Sequence, residues 1–176
     1  MENSTMSDEA KISRRAALGA AAAVAASSAG LMTSSSPVEA ANTHCPKDKM
    51  LTKPRDLETI AEKFLGRQTL SEVDLKGWRG LGDLFLRMRR LTIEPGGFVP
   101  THYHDDRPSI VFVLQGELIE HNSFCTTPIV HRAGDWTAEF GPFVGHWWEN
   151  RGTQTAIVLS ADVIPPEYKD MDDKDM

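Results

Sequence analysis

The chain has 176 residues, enough for one domain and two at most. Its 19 Lys and Arg stand against 25 Asp and Glu, a net charge of −6, which excludes the basic stripe a nucleic-acid binder needs to displace phosphate counterions. Apolar residues at 40% and charged residues at 25% fit an ordinary soluble domain, and two cysteines without a Cys-x-x-Cys pair exclude a disulfide scaffold and a zinc knuckle.

Residues 1–40 read as an address rather than as fold. A polar start ends in Ser13-Arg14-Arg15, a weakly apolar, alanine-rich stretch runs from Ala16 to Met32, and Val38-Glu39-Ala40 sets short residues around a signal-peptidase site. The segment resembles a twin-arginine export signal, although Ala17 stands where that signal usually carries a bulky residue. The expectation is a periplasmic or otherwise exported protein, with a plain alanine-rich leader as the alternative. No later stretch is long and apolar enough to predict stable membrane insertion once the leader is removed. In an oxidising compartment Cys45 and Cys125 can pair; equally they can be two separate thiols, one of them buried.

Residues 41–67 predict a polar lead-in and one short helix. Asp56 is placed to cap it, Leu57, Ile60, Ala61, Phe64 and Leu65 recur at helical spacing, and Gly66 is placed to end it. From residue 68 the period changes to two. Strands are expected over 69–75, 83–94, 98–104, 109–115, 117–121, 128–132, 135–139, 146–150 and 155–163, parted by Gly- and Pro-rich turns. Short strands at such spacing predict an all-β antiparallel barrel over 68–166, followed by an acidic, solvated tail over 167–176.

Three of the six histidines carry the chemistry. His102 and His104 flank Tyr103, so on an extended strand both imidazoles leave one face and the tyrosine leaves the other. His146 opens a later strand, and a closed barrel can bring it to the same point. Three neutral imidazoles suit a divalent transition metal: iron, manganese, nickel, copper or zinc.

This spacing resembles the cupin family, whose small jelly-roll β-barrels hold a metal between two motifs. Gly96, His102-Tyr-His104 and Gly116 fall at the places of the first motif; Gly134-Asp135, His146 and Asn150 fall at those of the second, with one extra residue and the inner Pro and Gly displaced into Gly141-Pro142. Ser109 occupies the place of the family's Glu ligand. A serine hydroxyl stays protonated and donates weakly, so the resemblance implies His102, His104 and His146 as the metal ligands, with open positions and the full dipositive charge left for a small anionic chelating substrate. It also implies a homodimer.

The remaining residues leave alternatives open. Glu139 and Glu120 are either acid–base groups that reach the centre or hydrogen-bonded carboxylates at its rim. Arg107 either meets an anionic substrate at the barrel mouth or pairs with its surface neighbours. Trp147 and Trp148 face opposite ways, and Trp148 is either wall of a substrate pocket or core. As a whole the chain reads as a metal-dependent oxygenase, or a related lyase or isomerase, with a non-catalytic ligand-binding or metal-binding barrel or sensor as the alternative.

Overall fold

The computed structural model describes residues 45–169 and 171. The expected leader and most of the acidic tail lie outside them. Eight strands follow in chain order: β1 (Lys63–Asp74), β2 (Phe85–Tyr103), β3 (Ser109–Gln115), β4 (Glu117–Asn122), β5 (Ile129–Arg132), β6 (Trp136–Glu139), β7 (Gly145–Glu149) and β8 (Ala156–Ile164). They pair antiparallel in the order β5-β4-β7-β2-β8-β3-β6, with β1 laid on β2, and form the nearly closed all-β barrel that the period of two predicts.

The expected short helix is not formed. Residues 51–62 run without regular structure, and Phe64 to Gly66 lie inside β1. A nine-residue helix gains little against its nucleation cost. The long edge of β2 offers the same backbone a full ladder, with Leu65 opposite Ile93 and Asp74 opposite Phe85. The preceding residues are drawn along the same strand: Thr101 N donates to the Ile60 carbonyl at 3.1 Å, and Ile60 N donates back to Thr101 Oγ1 at 3.0 Å. Among the described residues no helix is long and apolar enough to cross a membrane.

Two expected strands, 83–94 and 98–104, are one bent strand. Its first part pairs β1 and β8, and its last part pairs β7, so β2 joins the two halves of one continuous sheet. The bend falls at Pro95-Gly96-Gly97, where Gly96 has φ of 72° and a Cβ on Gly97 would stand 2.8 Å from the Glu94 carbonyl oxygen. Buried Asn150, which closes the second motif, clamps this bend. Its amide donates to the carbonyls of Ile93 and Gln154, each at 2.8 Å, while Gly96 N donates to the Asn150 carbonyl at 2.8 Å.

A single apolar cluster fills the barrel around Leu91, Ile93, Val99, Val113, Leu118, Trp148, Ala156 and Val158. Trp148 points into it, as alternation requires. Trp147 points outward yet is also buried, because His121 stacks flat on it at 3.7 Å and Phe98 meets its edge. Cys45 and Cys125 are joined, which settles their alternative and ties the lead-in to the β4–β5 loop. Leu51 N donates to the Phe124 carbonyl and Thr126 N to that of Lys49, so the strap is held by backbone bonds as well.

Candidate metal centre

His102 and His146 are direct cross-strand partners on β2 and β7, and His104 follows two places on, just past the end of β2. This register, rather than chance proximity, gathers the imidazoles. All three are buried, and Tyr103 between them points outward to solvent. The Nε2 of His146 lies 3.1 Å from the Nε2 of His102 and 3.1 Å from that of His104.

Each ring's other nitrogen is engaged. Nδ1 of His102 donates to the Pro100 carbonyl at 2.8 Å, Nδ1 of His104 to the Arg107 carbonyl at 2.9 Å, and Nδ1 of His146 to Glu120 Oε1 at 2.8 Å. Carbonyls and a carboxylate only accept, so each Nδ1 carries the proton and each Nε2 turns a lone pair toward its neighbours. Trp148 brings its indole nitrogen to 3.2 Å from the His146 Nδ1 and closes that side of the ring. In neutral rings these buried lone pairs repel one another unless a metal ion lies between them or His146 takes up a second proton. Two nitrogens about 2.1 Å from one ion are about 3.0 Å apart at a right angle and about 3.4 Å apart at a tetrahedral angle, so the observed spacing suits shared coordination. The donor set fits a divalent metal.

The site's charges are set by burial and by close partners. Burial, then the neighbouring His146, His102 and Arg107, hold His104 far below the usual histidine range, so it stays neutral. Burial works against a charge on His146, but Glu139 and Glu120 outweigh it and draw its pKa upward. Glu120 is likewise penalised by burial, yet the hydrogen bonds from His131 and His146 win and keep it ionised well below the usual carboxylate range.

Glu120 stands behind His146 instead of over the central cavity. Oε1 accepts from His146 and from Asn122 Nδ2 at 2.8 Å, and Oε2 faces His131 Nε2 at 2.8 Å. His131, which its sequence position leaves without a role, is fully buried and stacked on Trp148. The pattern is a carboxylate fixing the far side of a candidate metal-ligating ring, an arrangement that sets ring orientation and raises basicity.

Glu139 is on the cavity side. It is the direct cross-strand partner of Ser109, whose Oγ donates to Oε2 at 2.6 Å. That same Oε2 lies 3.3 Å from His104 Nε2. Oε1 is buried with no hydrogen-bond partner among the described residues. Burial raises the pKa of Glu139, with Glu120 adding to the effect and His146 and Ser109 opposing it. The acid missing at Ser109 is thus matched by one on the strand opposite, which reaches the same side of the cluster.

Arg107 is not on the surface. It is buried, with Nη1 3.4 Å from Asp162 Oδ2. Asp162 also takes Arg87 through two bonds, at 3.1 and 2.8 Å, and Arg89 at 3.1 Å. Arg89, Arg107 and Ser160 line the same cavity as the three histidines and Glu139, opposite a wall of Leu91, Val99, Val111 and Trp148; the free space between them is about 30 Å³. Arg87, Arg89, Ser160 and Asp162 are absent from the sequence reading. Their signal is alternation: Arg87 and Arg89 fall in phase with buried Leu91 and Ile93, and Ser160 and Asp162 with buried Ala156 and Val158.

A nearly closed antiparallel barrel with three converging imidazoles is a barrel scaffold carrying a candidate metal centre. The cupin family model matches residues 57–172, and the chain belongs to the cupin family. It is similar to a germin-like protein 3-3 of Oryza sativa subsp. japonica, 36% identical over 50 residues, which covers 28% of this chain and only 22% of that relative. Among solved structures, it is similar to a sugar phosphate isomerase of the cupin superfamily from Silicibacter pomeroyi, with 25% identity, a TM-score of 0.42, and coverage of 57% of this chain and 61% of that one. An oxalate oxidase in complex with glycolate gives 21%, 0.42, 60% and 56% on the same measures. A predicted oxalate decarboxylase from Thermotoga maritima gives 19%, 0.41, 60% and 99%.

Proposed function

We propose that this chain is an exported, metal-dependent cupin enzyme, an oxygenase or a related lyase or isomerase, that acts on a small anionic substrate able to chelate the ion. The observation that carries the reading is the convergence of three Nε2 lone pairs, each fixed by an acceptor on its Nδ1, beside a buried carboxylate. His102, His104 and His146 hold the metal. A bound divalent ion supplies Lewis acidity to a chelated acid or enol and, where the metal is redox-active, an electron pathway.

The chain's own groups do the rest. Arg89 and Arg107 surround the cavity with positive charge, which favours an anion there. The apolar wall of Leu91, Val99, Val111 and Trp148 excludes water and strengthens each electrostatic contact inside. Glu139, raised by burial, is the group that holds or releases a proton on the open side of the cluster, with Ser109 fixing its Oε2. Glu120 acts through His146 as a positioning residue. The Cys45–Cys125 bond supports an oxidising, exported location.

The test is a panel of small carboxylic acids, hydroxy acids and enols added to the metal-loaded full chain, followed by oxygen uptake and product NMR. At least one compound should turn over, and Glu139→Gln should slow that turnover about 100- to 10,000-fold while the protein keeps its metal. Binding without turnover across the panel contradicts the enzyme. A second reading has its own support: free space of about 30 Å³ also suits a barrel that holds an ion or a very small ligand without chemistry. That reading predicts the same metal content and no effect of Glu139→Gln on ligand affinity.

A further inference from the structure

The barrel is not closed all the way round. β5 and β6 are the two ends of its strand order, so no ladder joins them among the described residues. A pocket of about 290 Å³ opens at that seam and takes residues from both edges, Ile129 of β5 and Thr137 and Ala138 of β6. It shares no lining residue with the cavity beside the three histidines. Burial sets its depth: Glu120, Ile129 and Thr137 are buried at its floor, while Met50 and Phe140 are more than half exposed at its rim.

Its walls are fixed before any ligand arrives. Met50 bridges Cys125 as an isolated strand pair, and the Cys45–Cys125 bond fastens the lead-in beside it. Across the opening, Val144 N donates to the Gly141 carbonyl at 3.1 Å, and the Val144 carbonyl accepts from His104 N at 2.7 Å. Walls that need no ordering leave more of the contact energy as affinity. Met50, Phe124, Ile129, Phe140 and Val144 make the lining mainly apolar, and an apolar pocket with a few placed polar groups is the usual form of a small-molecule site. The volume is about twice the ~150 Å³ that encloses a benzene ring, enough for one ring with a short substituent.

The polar floor decides the substituent. A carboxylate has about four acceptor positions. Three of those on Glu120 are taken, by His146 Nδ1 and Asn122 Nδ2 at Oε1 and by His131 Nε2 at Oε2, each at 2.8 Å. One position on Oε2 is left for a donor, and Thr137 adds a hydroxyl at the same depth. A ligand carboxylate there would face a like charge, and a cation would find that charge already shared among three donors. We propose that the seam pocket is a second small-molecule site, separate from the metal centre, that takes an uncharged aromatic alcohol. Its ring lies among Phe124, Ile129 and Val144, and its hydroxyl donates to Glu120. This ligand differs in chemical class from the chelating anion proposed for the metal cavity.

Methyl NMR of the full chain, followed at Ile129 and Val144 with benzyl alcohol and benzoate as probes, tests this. Benzyl alcohol should shift both signals with a Kd on the order of 1 mM, as a ligand of that size allows. Benzoate, which replaces the donor by a negative charge, should bind there at least about 10-fold more weakly. Ala138→Trp, at an exposed position on the edge strand, should fill the opening and weaken benzyl alcohol binding about 10-fold or more, with circular dichroism and metal content unchanged. Val144→Trp should do the same from the opposite wall, read at Ile129, and stands in if the first variant fails to fold. Wild-type signals that do not move at about 10 mM benzyl alcohol overturn the proposal. So does benzoate binding as tightly at the same methyls, or an unchanged affinity for benzyl alcohol in a folded filled variant.

Discussion

The two ends of the barrel interior differ although the same strands build both. β2 runs from Arg87 and Arg89 into Leu91 and Ile93, β8 from Ala156 and Val158 into Ser160 and Asp162, and β3 from Ser109 into Val111 and Val113. At one end the inward positions are apolar and fill the core. At the other they are ionic and polar, and Arg89 and Ser160 line the cavity there with Arg107, Glu139 and the three histidines. Alternation decides only which residues face inward; their identity decides whether that interior is core or site. The polar end still has to satisfy its charges, and it does so by gathering three guanidinium groups on the single carboxylate of Asp162.

That contrast can be broken at either end. Asp162→Asn removes the shared partner of three buried cations and should cost about 3–5 kcal/mol in urea denaturation, so the polar end is structural as well as functional. Ile93→Ala, at the apolar end, should cost about 2–5 kcal/mol through its cavity and leave metal content per folded molecule unchanged. Glu120→Gln sharpens the comparison most finely. It should cost about 1–3 kcal/mol by leaving a histidine hydrogen bond unmade, and lower metal affinity about 10- to 100-fold in a chelator competition, because it loosens His146 without touching the ion. Equal affinity in that variant would reduce Glu120 to a packing group.

Much of this was legible in the sequence, and the failures have physical causes. The His-x-His pair is readable because strand alternation is strict, and His146 because a Gly-Pro turn precedes its strand. The helix at 56–65 was a true local pattern that lost to the ladder offered by β2, a partner that no local window contains. Trp147 faces outward as alternation requires, but the covering by His121 comes from a neighbouring strand. Arg107 reads as a surface group among Asp105 and Asp106 because its partner Asp162 lies 55 residues away. The relation of Ser109 to Glu139 is a matter of register between β3 and β6, which spacing along the chain does not encode.

The most direct measurement is elemental analysis of the purified full chain, beside a His102→Ala, His104→Ala, His146→Ala triple variant. Near-stoichiometric iron, manganese, nickel, copper or zinc in the wild type, lost in a triple variant that still folds, is the predicted result. A wild type that takes up none of these metals, or a triple variant that retains its metal in full, would contradict the claim that these three imidazoles form the centre of the protein's chemistry.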